Sequence, residues 1–279
     1  MLKLGEYNRL TIDRNTSVGF YLTDGEGNDV LLPKKYIRPG FKIGSEVDVF
    51  VYKDYEHRWI ATTLRPYIQL HQFANLKVKA VSEQGAFLDW GLEKDLFVPF
   101  REQTIKMKEG HRHVVYLYID EQTHRLVASA KLNRFFDTDT SSLQMNDQVE
   151  GILFETTPLG FNVAFSHRYK GLLYHADLRR NLRIGERVTA WVRQVREEGG
   201  VDLSLEPLGL QRLEDGAEKI LEILQNSRSG FLKLTDQSSP DEIQRMVDMS
   251  KKTFKRSVGI LYKLKKIALE EQGIRLIEI

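Results

Sequence analysis

Four landmark residues recur three times in this chain at identical spacing. The gaps between them are 14, 11 and 19 residues in every copy, with no insertion or deletion. The landmarks are Gly19, Pro33, Gly44 and Thr63 in the first copy, Gly85, Pro99, Gly110 and Ser129 in the second, and Gly160, Tyr174, Gly185 and Ser204 in the third. Because the spacing is held three times over, the sequence indicates a triplicated structural unit.

The segments between the landmarks have the pattern of β-strands. After the second glycine of the first copy, apolar residues alternate at Val47, Val49 and Val51, and the other two copies alternate at the same place. Period-2 alternation is typical of a half-buried strand. Together with short apolar runs around the other landmarks and an opening strand, this predicts five strands in each copy. Five short strands in about 65 residues have the size of a small closed barrel.

Beyond Pro207 the apolar residues change to a helical period. Leu213, Ala217, Ile220 and Leu224 predict one amphipathic helix. Ser239-Pro240 has the residues of a helix start, and Ser250 is expected to begin a third helix. The segment 267–279 has the pattern of a β-hairpin. Two helices, a turn, a third helix and a hairpin are the order of a winged helix-turn-helix.

The predicted fold is therefore mainly β with a C-terminal α+β domain. Three tandem five-stranded OB-fold barrels are expected at 1–66, 67–138 and 144–206, followed by a winged helix-turn-helix at 210–279. Two basic clusters are placed to contact phosphate. The first, in the third copy, contains His175, Arg179, Arg180, Arg183 and Arg187. The second lies on the predicted third helix, on the face opposite Phe254, Val258 and Leu261, and contains Lys252, Lys255, Arg256 and Lys263.

The signs of charge distinguish that helix from an ordinary solvated face. From residue 251 to residue 266 the chain has seven basic residues and no acidic one. A solvated face normally mixes signs, because like charges repel. The whole chain is nearly balanced, with 41 basic and 39 acidic residues, so any contact with nucleic acid has to come from such local clusters.

The repeat itself resembles a known domain. The segments 85–88, 96–99 and 128–131 (Gly-Ala-Phe-Leu, Leu-Phe-Val-Pro and Ala-Ser-Ala-Lys) resemble the S-one-type RNA-binding domain, a five-stranded OB barrel. The third copy resembles it at 171–174, and the first copy does so more loosely. The resemblance implies an RNA platform at three positions of each copy. These positions carry Val18, Tyr21 and Pro33 in the first copy, Gln84, Phe87 and Pro99 in the second, and Leu159, Asn162 and Tyr174 in the third.

The platform positions keep only part of the residues that the resemblance implies. The histidine typical of the third position is absent, and proline replaces it twice. Each copy therefore keeps one aromatic ring, at Tyr21, Phe87 or Tyr174. Since a flat ring stacks on a base and proline does so poorly, each barrel is expected to bind weakly by itself. Ordinary barrel packing is the alternative role of Tyr21 and Phe87.

The chain as a whole resembles the conserved virulence factor B family of bacterial RNA-binding regulators. The resemblance is sharpest from Ser250 to Lys263, with the segment 239–243 upstream. It implies RNA binding and an effect on the expression of other genes.

Other classes of protein have little support in the sequence. The absence of cysteine excludes disulfides, thiolate metal sites and cysteine nucleophiles. With no apolar segment of membrane length and no apolar stretch near Met1, a cytoplasmic protein is expected. His111 and His113 lack partner ligands at a recognisable spacing, and no catalytic set of residues is found, so we expect neither metal nor cofactor.

The expected function is a non-catalytic one. Its partner would be single-stranded RNA, with messenger RNA favoured and ribosome association a further expectation. A DNA-binding transcriptional regulator acting through the winged helix is the alternative. A nuclease with an unrecognised metal cluster is a third hypothesis. Cleavage that depends on divalent metal would distinguish it from the other two.

Overall fold

The computed structural model describes residues 2–178, 180–196, 199–207, 215–227 and 229–277. The chain divides into two compact units, Met1–Leu205 and Glu206–Ile279. The first unit contains the three copies of the repeat, and the second contains the helices. Within the described residues, no helix combines the length and the apolar character needed to cross a membrane.

Each copy of the repeat forms five strands, as the sequence predicts. The first copy contains β1 (Tyr7–Asn15), β2 (Gly19–Thr23), β3 (Asp29–Pro33), β4 (Glu46–Lys53) and β5 (Trp59–Thr62). The second contains β6 (Phe73–Val81), β7 (Gly85–Asp89), β8 (Leu96–Pro99), β9 (Arg112–Ile119) and β10 (Leu126–Ser129). The third contains β11 (Gln148–Thr156), β12 (Gly160–Phe165), β13 (Tyr169–Tyr174), β14 (Arg187–Val195) and β15 (Val201–Ser204). The proposed domain boundaries after residues 66 and 138 lie in connecting segments.

The strands of each copy have the order of an OB barrel. Barrel one is closed in the order β1-β2-β3-β5-β4, and barrel three is closed in the equivalent order. Barrel two has the same neighbours, but β8 and β10 pack side by side without the ladder that pairs β3 with β5. The predicted mainly β fold with three tandem barrels is confirmed.

The first landmark glycine of each copy lies where no side chain fits. Gly19, Gly85 and Gly160 pair with the landmark Pro33, Pro99 or Tyr174 on the neighbouring strand. A Cβ atom on these glycines would lie 2.1, 2.3 or 1.9 Å from the carbonyl oxygen of the residue that precedes the landmark. Any larger residue would push the second and third strands of its barrel apart. The repeated glycine therefore follows from packing.

The second landmark glycine and a shared bulge complete the repeat. Gly44, Gly110 and Gly185 have φ near +84°, +82° and +86°, which glycine adopts at little cost. Each lies in the turn that precedes the fourth strand. The first strand of every copy carries a register shift seven residues before its first landmark glycine, at 12–14, 78–80 and 153–155. A bulge bends the strand and lets a short sheet curve into a barrel.

The barrels of the first unit are joined by apolar contacts. Barrels one and two share a core in which the Trp90 ring packs edge-on against Phe50 and Tyr52, at centroid distances of 5.8 and 6.3 Å. Barrels two and three share a second cluster, in which Phe73 and Ile152 are buried. These shared cores fix neighbouring barrels with respect to each other.

The second unit is the predicted winged helix, and its elements agree with the sequence pattern. It contains α1 (Asp215–Asn226), β16 (Phe231–Leu232), α2 (Pro240–Val247), α3 (Lys251–Lys263), β17 (Ile267–Glu270) and β18 (Gly273–Leu276), with sheet order β16-β18-β17. The Ser239 side chain accepts from the Glu242 N–H, and the Ser250 side chain accepts from the Thr253 N–H. These caps explain why α2 and α3 begin where they do. Leu213 of the first predicted helix lies outside the described residues.

Candidate nucleic-acid interface

The three rings that the resemblance selects lie on the second or third strand of their barrels, which carry the landmark glycine and the landmark proline or tyrosine. Tyr21 is on β2, Phe87 is on β7 and Tyr174 ends β13. All three side chains are half-buried, so each ring packs partly on its barrel and keeps part of its surface open to solvent. Each ring therefore contributes to the packing of its barrel and also keeps a surface that a ligand can reach.

Tyr21 is covered on one side by a cation. The Arg14 guanidinium, from β1, lies 4.4 Å from the Tyr21 ring centroid. Arg14 also pairs with Asp13 at 2.9 Å and with Asp29 at 2.8 Å. Side-chain hydrogen bonds to Asp29 and Asp13 raise the pKa of Arg14 above its ordinary value. A base that stacks on Tyr21 has to use the other face of the ring or displace Arg14.

Tyr174 is held by a polar network. Its hydroxyl donates to Asp202 Oδ1 at 3.3 Å and accepts from the Arg196 guanidinium. Arg196 is also paired with Asp202. The neighbouring His175 is exposed, and its ring meets the Phe161 ring edge-on at 5.1 Å. The network fixes the orientation of Tyr174, which is next in sequence to the His175 ring of the Phe161–His175 pair.

Phe87 has a second ring beside it that the landmark positions do not include. Phe97, from β8, lies directly opposite Phe87 in the strand ladder, with ring centroids 5.2 Å apart. Both rings are half-buried. Sequence reasoning missed Phe97, although an aromatic residue directly across from Phe87 could have been found from the strand register.

The basic loop of barrel three is less free than the sequence suggests. Arg180 is paired with Glu186, and the backbone N–H of Arg183 donates to the same carboxylate at 3.2 Å. The Arg180 hydrogen bond is the largest cause that lowers the pKa of Glu186. Arg183 and Arg187 are exposed. Arg179 lies outside the described residues.

The basic face of α3 is exposed, as the helical period predicts. Lys252, Lys255, Arg256 and Lys263 are all open to solvent, while Phe254 and Leu261 are buried in the core of the second unit. Lys255 Nζ lies 3.9 Å from Asp236 Oδ2, at the outer limit of an ion pair. The helix therefore presents cationic side chains on a surface that is anchored from behind.

Other residues near Phe87 come from outside the landmarks. Tyr55, Lys94 and Arg125 line the same cavity as Phe87 and Phe97. Sequence reasoning missed these three residues because they lie in turns of two different barrels. Within the residues that the structure describes, no three histidine or acidic side chains come together in a way that could hold a metal ion.

Comparison with known proteins identifies both kinds of domain. The profile of the S1 (S-one-type) domain matches residues 4–64 and 72–131, and that of the CvfB-like winged helix domain matches residues 218–276. A solved multidomain protein with nucleic acid binding domains from Streptococcus pneumoniae is 26% identical, with a TM-score of 0.43 and 98% coverage of both chains. Domains of these two kinds support nucleic-acid binding as the class of function.

Two curated relatives extend over most of the chain. The uncharacterized protein YitL of Bacillus subtilis is 30% identical over 96% of this chain and 92% of its own length. Conserved virulence factor B of Staphylococcus epidermidis is 30% identical over 85% of this chain and 81% of its own length. The chain combines S1 domains with a CvfB-like winged helix, and it matches conserved virulence factor B over most of its length. The protein therefore belongs to the conserved virulence factor B family.

Proposed function

We propose that this chain is a non-catalytic protein that binds single-stranded RNA and regulates gene expression after transcription. The observation that carries the proposal is the partly exposed aromatic ring that each barrel keeps on its second or third strand: Tyr21, Phe87 and Tyr174. Such rings can stack on successive bases of a flexible strand, with about 1–3 kcal/mol for each base. Messenger RNA is the class of RNA that we propose as the partner.

Several weak sites in one chain support binding of a long strand. Barrels one to three lie in one compact unit, so a strand held at one barrel is presented to the next at a high effective concentration. The exposed cations of α3 add contacts to phosphate, which are independent of sequence. Affinity is therefore expected to come from the whole chain, and to fall steeply as salt rises.

A DNA-binding transcriptional regulator is the second candidate. The observation that favours it is the basic face of α3, because the third helix of a winged helix is the one that commonly enters a DNA groove. The three barrels favour RNA instead, since OB barrels suit unpaired, splayed bases better than a rigid duplex.

Binding of the full-length protein to matched oligonucleotides separates the candidates. Fluorescence anisotropy is measured with single-stranded RNA and with duplex DNA of the same sequence, at several salt concentrations. We expect tighter binding to the RNA, with a strong dependence on salt. Equal or tighter binding to the duplex would favour the DNA-binding regulator. Cleavage of the RNA that depends on added Mg²⁺ would make the protein a nuclease. Co-sedimentation with ribosomes tests ribosome association separately.

A further inference from the structure

A cavity of about 310 Å³ lies between barrels one and two, and we refer to it as the inter-barrel pocket. One side is the end of β4 and the β4–β5 turn of barrel one, and the other is the β7–β8 face and the β9–β10 turn of barrel two. The residues used below are Lys53, Tyr55, His57, Phe87, Lys94 and Arg125. Because the two barrels share the core around Trp90, the two sides of the pocket belong to one packed structure.

The pocket concentrates positive charge. Burial first, and then the charges of Arg125, Lys94 and Lys53, lower the pKa of His57 below its ordinary value. The pKa of Lys94 is likewise lowered, chiefly by burial; the charge of Asp54 opposes this effect, and the charges of Arg125 and Lys53 add to it. Asp95 also lines the pocket, but its carboxylate pairs with Lys79, and that of Asp54 pairs with Arg58. Across the part of the chain that the structure describes, no carboxylate lies within ion-pair distance of Lys53, Lys94 or Arg125. Such a group of cations attracts a phosphate.

Lys94 holds the two sides of the pocket together. It comes from barrel two, and its ammonium group donates to the backbone carbonyls of Lys53 at 3.0 Å and Asp54 at 2.7 Å, both in barrel one. The turn itself is ordered by Asp54, whose Oδ1 accepts from the backbone N–H groups of Glu56 and Arg58. The pocket is therefore formed before any ligand arrives, which lowers the entropy lost on binding.

An aromatic ring stands at the tip of this ordered turn. Tyr55 is 70% exposed. Its hydroxyl donates to the Glu93 carbonyl at 3.3 Å, and Lys94 Nζ lies 5.7 Å from its ring centroid. Phe87 lines the same pocket from barrel two. An exposed ring and a half-buried ring beside cations are a combination that can bind a base and its phosphate in single-stranded RNA.

We propose that the inter-barrel pocket holds one nucleotide of the bound RNA strand. The base stacks on Tyr55 and Phe87, and its phosphate lies between Lys53 and Arg125. This inference rests on the proposed function, because it assigns a place on the protein to the same RNA. It adds that barrels one and two bind one nucleotide jointly, through a turn of barrel one that the repeat landmarks do not mark.

The test uses the full-length protein and a single-stranded RNA oligonucleotide in fluorescence anisotropy. Tyr55→Ala is expected to weaken binding by about 5- to 150-fold, the range for loss of one stacked base. Tyr55→Phe keeps the ring and is expected to bind within about twofold of the native protein. Arg125→Gln should lower the slope of log affinity against log salt by about 0.7, and Lys106→Gln, an exposed lysine outside the pocket, should not.

A double variant tests whether two rings hold the same base. If Tyr55 and Phe87 share one nucleotide, Tyr55→Ala combined with Phe87→Ala loses less affinity than the product of the two single losses. Independent, multiplying losses would overturn the shared site. Thermal melting identifies any variant that fails to fold, and Arg125→Gln then carries the test, since Arg125 is exposed.

The failures of the two proposals can be told apart. If the native protein does not bind RNA, the proposed function is wrong, and the pocket assignment is wrong with it. If the native protein binds RNA and Tyr55→Ala and Arg125→Gln bind as it does, only the pocket assignment is wrong. If free adenosine or uridine monophosphate competes at the same concentration as the oligonucleotide, the pocket is a site for free nucleotides rather than for a strand.

Discussion

The basic face of α3 gives the sharpest test of whether the winged helix contacts RNA. We predict that Lys252→Glu together with Lys255→Glu leaves the fold intact and weakens RNA binding. Residue 252 lies in the first turn of α3, which has no acidic residue, so glutamate there interacts favourably with the helix dipole. Residue 255 lies near Asp236, so glutamate there adds a weak repulsion. These effects oppose each other, and the free energy of unfolding is expected to change by less than about 0.5 kcal/mol.

The size of the binding effect follows from counterion release. Each phosphate contact to a single strand contributes about 0.7 to the slope of log affinity against log salt, so two lost contacts lower that slope by about 1.4. Between about 50 and 200 mM salt, the native protein should then lose about sevenfold more affinity than the double variant. Anisotropy titrations at four salt concentrations measure the slopes, and thermal melting of the same samples measures folding.

The control is a pair with the same change in net charge. Lys3→Glu with Lys106→Glu alters two exposed lysines of barrels one and two, away from α3. We expect this pair to keep most of the native slope. If the α3 pair keeps the native slope, α3 makes no phosphate contacts and its basic face is an ordinary solvated surface. If the control pair loses as much slope as the α3 pair, the effect comes from net charge and the assignment to α3 is wrong.

Three further predictions concern stability. Phe254→Ala, at a side chain only 1% exposed, should destabilise the winged helix by about 3–5 kcal/mol in urea unfolding, and an unchanged midpoint would mean that the ring is not part of the core. Gly160→Ala would place a Cβ atom 1.9 Å from the Leu173 carbonyl oxygen, so a loss of about 1–3 kcal/mol or more is expected, and a neutral result would show that β12 and β13 move apart easily. Burial lowers the pKa of His167, whose Nδ1 accepts from the Phe73 N–H at 3.1 Å. The unfolded chain therefore binds a proton that the folded chain does not, and stability should fall as pH drops below about 6.5. His167→Gln should reduce that fall between pH 7.5 and 5.5, and an equal fall in both proteins would assign it to other groups.

The sequence by itself determined the repeated architecture. The glycines could be recognised because a Cβ atom at Gly19, Gly85 or Gly160 would overlap a backbone carbonyl, and each copy meets the same obstacle at the same spacing. The alternation that predicts strands and the 3.6-residue period of α3 are also local, since they depend on which face of one element is buried. For that reason the barrels, the winged helix and the exposed basic face of α3 were all predictable.

Only the tertiary structure decided how the candidate site is assembled. Lys53 ends β4 of barrel one, whereas Lys94 and Arg125 lie in two turns of barrel two, and the three meet because the barrels pack on the shared core around Trp90. Tertiary structure also decides which cations are neutralised by an ion pair, as Arg180 is by Glu186. A run of basic residues is visible in sequence, but whether each cation is free depends on acceptors placed by the folded loops. Convergence of distant side chains is a property of packing, and no local pattern encodes it.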